Sequence, residues 1–101
     1  MKNPELIPYL PKIADYLLVA SQLKADSPEE QYRRANTLAW ELAMVLPTDL
    51  YQSMGRALSQ PTPTHNLLSV VIEVRKLVLG EAAGDLKDTH VIAHAPGIGG
   101  K

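Results

Sequence analysis

The chain contains no cysteine, which excludes both a disulfide framework and zinc binding through thiolates. It also contains no phenylalanine, so one tryptophan and four tyrosines supply all of its aromatic side chains. The core must therefore be built from leucine, valine, isoleucine, alanine and methionine. This set of residues favours helices, and their packing alone must stabilise the fold.

Excess charge and long hydrophobic runs are also missing. The formal net charge is -1, and the ten basic residues are scattered along the chain, whereas nonspecific nucleic-acid binders are usually more basic. No apolar run reaches the ~18 to 20 residues that span a bilayer. Near the N-terminus, Pro4, Pro8 and Pro11 interrupt the stretch that would have to be the apolar core of a signal peptide. We therefore expect no membrane association and a cytoplasmic location, in a prokaryotic cell or a cell hosting its phage.

Hydrophobic periodicity predicts an all-α fold with four helices. With 101 residues, of which 46% are hydrophobic, the chain has the size and composition of one domain with one core. The predicted helices of this small bundle span about 8–25, 28–46, 49–59 and 64–79. Residues 1–80 form the predicted single helical domain, and 81–101 form an irregular, partly extended C-terminal arm or tail that is mobile at its end.

Capping residues predict where the second helix begins. Ser27 precedes Pro28, a residue type that suits the first helical position, and Glu30 completes the spacing of a capping box. The sequence therefore predicts that the Ser27 side chain caps this helix.

Similar signals bound the remaining helices. Pro47 ends the second helix, and Thr48 is the predicted N-cap of the third. Thr64 is the predicted N-cap of the fourth helix, which Gly80 ends.

The most apolar stretch of the chain is 67–79, LLSVVIEVRKLVL. Its polar positions Ser69, Glu73 and Lys76 lie at i, i+4 and i+7 and form one narrow stripe on a helix. The β-branched run at 70–72 leaves a buried strand as an alternative, but the length of the segment favours a helix. A helix this apolar has to be surrounded, so we expect it to be central and expect a second copy to cover surplus apolar surface in a homodimer.

Trp40 and Met44 lie four residues apart on a flank of the second helix, outside its main apolar stripe. Arg33 and Asn36 accompany them on this flank. A tryptophan outside the core stripe is often an interface anchor. Two interpretations stay open: either this flank binds a partner, or Trp40 packs under the first helix or the tail.

The second and third helices also allow a DNA-binding hypothesis. The segment LAWELAMVLPTDLYQSMGRAL has two helices around a short turn, and its start is similar to the first helix of many bacterial repressors. The residues that would reach bases are Tyr51, Gln52, Ser53 and Arg56. Pro47 in an overlong turn and Asp49 near the phosphates argue against a helix-turn-helix.

Motifs for catalysis or metal binding are weak. His90 and His94 have a spacing that suits metal ligation on a helix, but the residues between them favour an extended segment. The C-terminal GIGGK lacks the first glycine, the Ser or Thr and the helix of a phosphate-binding loop. No motif links a serine to a histidine, and the lone carboxylates favour surface roles. Glu73, on the most apolar helix, is the partial exception unless Arg75, Lys76 or another arginine pairs with it. We therefore predict no catalytic site, cofactor or physiological metal.

These observations favour a non-enzymatic interaction or accessory protein. It would self-associate and bind a protein partner, through the Trp40 flank or the C-terminal arm. The alternative is a helix-turn-helix regulator that uses helices 28–46 and 49–59. A third possibility is a small-ligand pocket between helices, which the apolar lining permits although the sequence shows no converging polar groups.

Overall fold

The computed structural model of the protein describes residues 3–92 and confirms an all-α fold with four helices. The helices are α1 (Leu10–Ser21), α2 (Glu29–Val45), α3 (Thr48–Ser59) and α4 (Leu67–Leu79). Short 3-10 turns lie at Pro4–Tyr9, Gly80–Ala83 and Asp88–His90. Within 3–92 there is no β-strand. The predicted mobile end of the C-terminal arm lies outside the described residues.

The helices pack around one shared core. α1 and α2 form a hairpin, α3 contacts both α1 and α4, and α4 packs against α3 and the three 3-10 turns. The core contains one methionine and otherwise aliphatic side chains, as the lack of phenylalanine predicts: Leu6, Ile13, Leu17, Leu42, Leu46, Leu50, Met54, Ala57, Val70 and Val74.

α4 shows that 67–79 is a helix, so the strand alternative is wrong. Its N-cap is Asn66 instead of the predicted Thr64: Asn66 Oδ1 accepts hydrogen bonds from the amides of Leu68 (3.1 Å) and Ser69 (3.2 Å). The Ser69 hydroxyl in turn accepts from the Asn66 amide at 2.8 Å, which completes a capping box. At the other end, Gly80 has a φ of 61°, which ends the helix as predicted.

Two further predicted caps are wrong. The Ser27 hydroxyl accepts a hydrogen bond from the Lys24 amide at 2.8 Å, and Pro28 is the N-cap of α2 without a side-chain hydrogen bond. The local turn therefore uses the oxygen that the predicted capping box needed. Thr48 is the first residue of α3, whose N-cap is Pro47.

α1 is shorter than the predicted span 8–25. Before it, Pro4–Tyr9 forms a 3-10 turn that contains Pro8, and the Asn3 amide donates a hydrogen bond to the Leu77 carbonyl at 2.6 Å. After it, the Leu23 amide bonds to the Ala20 carbonyl in a tightened last turn. This turn leads into the connection that the Ser27 hydroxyl closes.

The first part of the C-terminal arm folds back on α4. Ala83 is buried, and its carbonyl accepts a hydrogen bond from Arg75 Nε at 3.2 Å. Further along, His90 Nδ1 accepts from the Lys87 amide at 3.1 Å within the last 3-10 turn. α4 is nevertheless not surrounded on all sides, because Val71 remains 39% exposed.

Candidate interaction surface

The two faces of α2 differ in their surroundings. Ala35, Leu38 and Leu42 are buried against the core. Trp40 lies roughly 200° around the helix axis from Leu38, because each residue of an α-helix advances by about 100°. Trp40 is 66% exposed and Met44 is 77% exposed. Trp40 therefore does not pack under α1, and the outer face of α2 presents two large apolar side chains to solvent.

Polar side chains flank these two apolar residues along the helix. We define the Trp40 surface by six residues of α2, all of them exposed: Glu29, Arg33, Asn36, Thr37, Trp40 and Met44. Five of them, together with Tyr32, line a shallow groove beside Trp40. All four interface residues predicted from the sequence thus lie on one continuous surface.

Charges at this surface and beside it are paired. Arg33 Nη2 lies 3.0 Å from Glu29 Oε2 in an exposed i, i+4 ion pair. On the side of α2 that faces α1, Lys12 Nζ lies 2.8 Å from Glu41 Oε1, and Arg34 pairs with Asp15. Exposed pairs of this kind contribute little stability, typically about 0 to 1 kcal/mol. Because these charges are paired with one another, Trp40 and Met44 are the largest exposed apolar side chains of the Trp40 surface.

The residues of the DNA-binding hypothesis do not share one face of α3. Gln52 and Arg56 are exposed, but the Tyr51 hydroxyl donates a hydrogen bond to the Ala39 carbonyl of α2 at 3.0 Å. Ser53 is buried, with only 4% of its surface exposed. Only two of the four side chains are therefore available to a base edge.

Ser53 belongs to a polar cluster that the sequence did not predict. Its hydroxyl donates a hydrogen bond to Glu73 Oε1 of α4 at 2.7 Å and lies 2.9 Å from His65 Nε2. A serine hydroxyl has a single hydrogen, so His65 Nε2 donates to Ser53 when Ser53 donates to Glu73. The cluster joins α3, the segment before α4, and α4 itself.

A serine, a histidine and a glutamate together call for comparison with a catalytic triad. In a triad the histidine lies between the serine and the carboxylate and accepts the proton of an accessible nucleophile. Here Ser53 lies between the other two, gives its hydrogen to Glu73 and is buried. The order of the three groups is therefore not that of a triad.

A sequence signal for part of this cluster did exist. Ser53 lies at i+3 in the stripe of Leu50, Met54 and Ala57, where every other residue is apolar. A serine at such a position needs a hydrogen-bond partner. Nothing in the sequence, however, identifies His65 and Glu73 as the two partners.

The metal hypothesis concerned His90 and His94. His94 lies outside the described residues. Nδ1 of His90 accepts a hydrogen bond from the Lys87 amide. Among residues 3–92 no group of three histidine, aspartate or glutamate side chains is placed to hold a metal ion.

Two further findings concern the chain as a whole. None of the helices in the described part is both long and apolar enough to cross a bilayer. Comparisons of the chain with models of known families, with curated proteins and with solved structures found no match.

Proposed function

We propose that this chain is a non-enzymatic interaction protein of the cytoplasm that self-associates and binds a protein partner through the Trp40 surface. The observation that supports the proposal is the exposure of Trp40 and Met44, four residues apart on α2. Tryptophan buries the largest area of any side chain and is enriched among residues that dominate binding energy. Burial of this pair in an interface would remove much of the exposed apolar area of α2.

The order of residues in the Trp40 surface supports self-association. Arg33 lies three residues before Asn36, and Trp40 lies three residues after Thr37. Two copies of α2 that cross antiparallel about a two-fold axis between Asn36 and Thr37 therefore place Trp40 opposite Arg33 of the second copy. A symmetric dimer needs a self-complementary patch of this kind.

The paired side chains are chemically compatible. A guanidinium over an indole ring is a favourable cation–π arrangement, and it occurs twice in a symmetric pair. One turn further out, Met44 faces Glu29 of the second copy at the same spacing from the axis. Glu29 pairs with Arg33 of its own chain at 3.0 Å. Its negative charge is therefore already balanced where it would contact the apolar Met44 side chain of the second copy.

The size of the surface indicates a weak dimer. A standard stable interface buries about 800 Å² on each partner and involves about 20–30 residues a side. Six residues on one helix fall well below that size, so we expect dissociation on dilution. Such reversible pairing leaves the surface available to a different protein partner.

Sedimentation velocity over a hundredfold range of concentration tests self-association. We expect a concentration-dependent shift toward dimer for the intact chain, and its loss in Trp40→Ala. Leu18→Ala is the matched control, because Leu18 is 59% exposed on α1, outside the Trp40 surface. A chain that stays monomeric over the whole range, or a dimer that persists in Trp40→Ala, would refute the proposed dimer.

A photo-crosslinking amino acid tests the partner. It is placed at position 40 in one variant and at position 18 in the other, both in full-length chains expressed in cells. We expect a heterologous adduct at position 40 that is absent at position 18. If both positions give the same adducts, the Trp40 surface does not select a partner.

A further inference from the structure

A second apolar surface lies between α1 and α4 and shares no residue with the Trp40 surface. Its floor consists of the buried side chains Ile13, Leu17 and Val74. The remaining lining residues are Leu10, Ala14, Val71, Arg75, Val78 and Leu79. We call this the α1–α4 groove. Its volume is about 360 Å³, within the range of about 300–1,000 Å³ that is usual for small-molecule sites.

The packing of the helices explains why the groove is open. α1 packs mainly against α2, whereas α4 packs mainly against α3 and the 3-10 turns. Between α1 and α4 the lining includes the small side chain of Ala14 and the short side chain of Val71. Val71 is therefore 39% exposed although it belongs to the most apolar helix of the chain.

Among the residues that the structure describes, Arg75 is the only charged one in the lining. It is half-buried, and its Nε donates to the Ala83 carbonyl at 3.2 Å. Within 3–92 no carboxylate lies within 4.0 Å of its guanidinium, whereas Lys12, Arg33 and Arg34 each pair with one. A partly desolvated cation without a counterion favours an anion, and the planar guanidinium matches a carboxylate in geometry.

The lining of the groove favours an alkyl chain with an acidic head group as its occupant. Eight of the nine lining residues are apolar, and Arg75 supplies the charge. An unbranched alkyl chain needs no hydrogen-bond partner from such walls. Its carboxylate can meet Arg75.

We propose that the α1–α4 groove binds an aliphatic monocarboxylate, such as a medium-chain fatty acid. The alkyl chain lies along the leucine and valine side chains of α1 and α4, and the carboxylate pairs with the Arg75 guanidinium. This site is independent of the Trp40 surface, so either proposal stands without the other.

Titration of the full-length protein with decanoate, followed by ¹H–¹⁵N NMR below the critical micelle concentration, tests the proposal. We expect shifts at Ala14, Val71 and Arg75, and none at Trp40. Each methylene added between octanoate and dodecanoate should tighten binding by about fourfold. Decanoate should bind at least tenfold more tightly than 1-decanol or decyltrimethylammonium.

Substitutions separate the role of charge from that of the apolar walls. Arg75→Gln should remove the preference for decanoate over 1-decanol while 1-decanol still binds, which also shows that the variant is folded. Arg75→Lys should retain part of the preference. Arg56→Gln is the matched control, because Arg56 is an exposed arginine of α3 outside the groove, and it should behave as the unmodified chain does.

Three results would overturn the proposal. The first is the absence of shifts at the groove below the micelle concentration. The second is an equal affinity for decanoate and decyltrimethylammonium, or a preference for decanoate that survives in Arg75→Gln. The third is a dimer that persists in Trp40→Ala and is lost in Val71→Arg, which would assign the groove to a second copy of the chain.

Discussion

Replacement of Ser53 by alanine is the most direct test of the polar cluster. The change removes a hydrogen bond to the Glu73 carboxylate (2.7 Å) and one from His65 (2.9 Å) at a residue that is 4% exposed. A hydrogen bond to a charged group contributes about 1.5–3 kcal/mol and a neutral one about 1 kcal/mol. The half-buried Glu73 and His65 can recover part of this through water.

The expected loss in free energy of unfolding is therefore about 2 kcal/mol. The higher helix propensity of alanine offsets a few tenths of this. In a domain of about this length, 1 kcal/mol shifts the melting temperature by about 4–8 °C, so Ser53→Ala should melt about 10 °C lower than the unmodified chain.

Urea and thermal unfolding, followed by circular dichroism at 222 nm, measure this loss. Ser59→Ala is the matched control, because Ser59 is exposed and its hydroxyl bonds to the Gly55 carbonyl of its own helix. We expect that control to stay within about 0.5 kcal/mol of the unmodified chain. A Ser53→Ala chain as stable as the control would show that the cluster contributes nothing, and the reasoning would fail.

Two further predictions concern the cap of α4 and the pH dependence of stability. Asn66→Ala should destabilise the chain by about 0.5–2 kcal/mol in urea unfolding, whereas Thr64→Ala should have little effect, and the reverse order would contradict the observed cap. Burial raises the pKa of Tyr16 above its usual value near 10, and Tyr51 nearby makes a smaller contribution in the same direction. The folded state therefore favours neutral Tyr16. The stability that this gives is fully present below pH 10 and is lost as the pH rises through the raised pKa. Between pH 9 and pH 11 the urea midpoint should therefore fall further for the unmodified chain than for Tyr16→Phe, and equal falls would count against the raised pKa.

Local signals predicted the helices because they act over only a few residues. Pro47 and Gly80 end helices through restrictions on their own backbone or that of the preceding residue. The caps were harder to predict because a side-chain oxygen can bond to an amide of the preceding turn instead of the helix, and because neighbouring oxygens compete for the first amides of a helix. Ser27 bonds to the turn before α2, and Asn66, not Thr64, reaches the first amides of α4.

The interaction surface was partly predictable. The helical period placed Trp40 and Met44 together with Arg33 and Asn36, because one helix suffices to define which residues share a face. Whether Trp40 packed under α1 could not be decided from α2 alone. Its exposure follows from where α1 packs, which depends on the whole core.

By itself the sequence determined the all-α class, the number and order of the helices and the residues that share the outer face of α2. Only the tertiary structure decided that Ser53 meets His65 and Glu73, and that α1 and α4 leave a groove with Arg75 in its lining. The physical reason is the range of the interactions. Periodicity, prolines and glycines act within a turn or two of the chain, whereas a buried cluster or a groove depends on how distant helices pack.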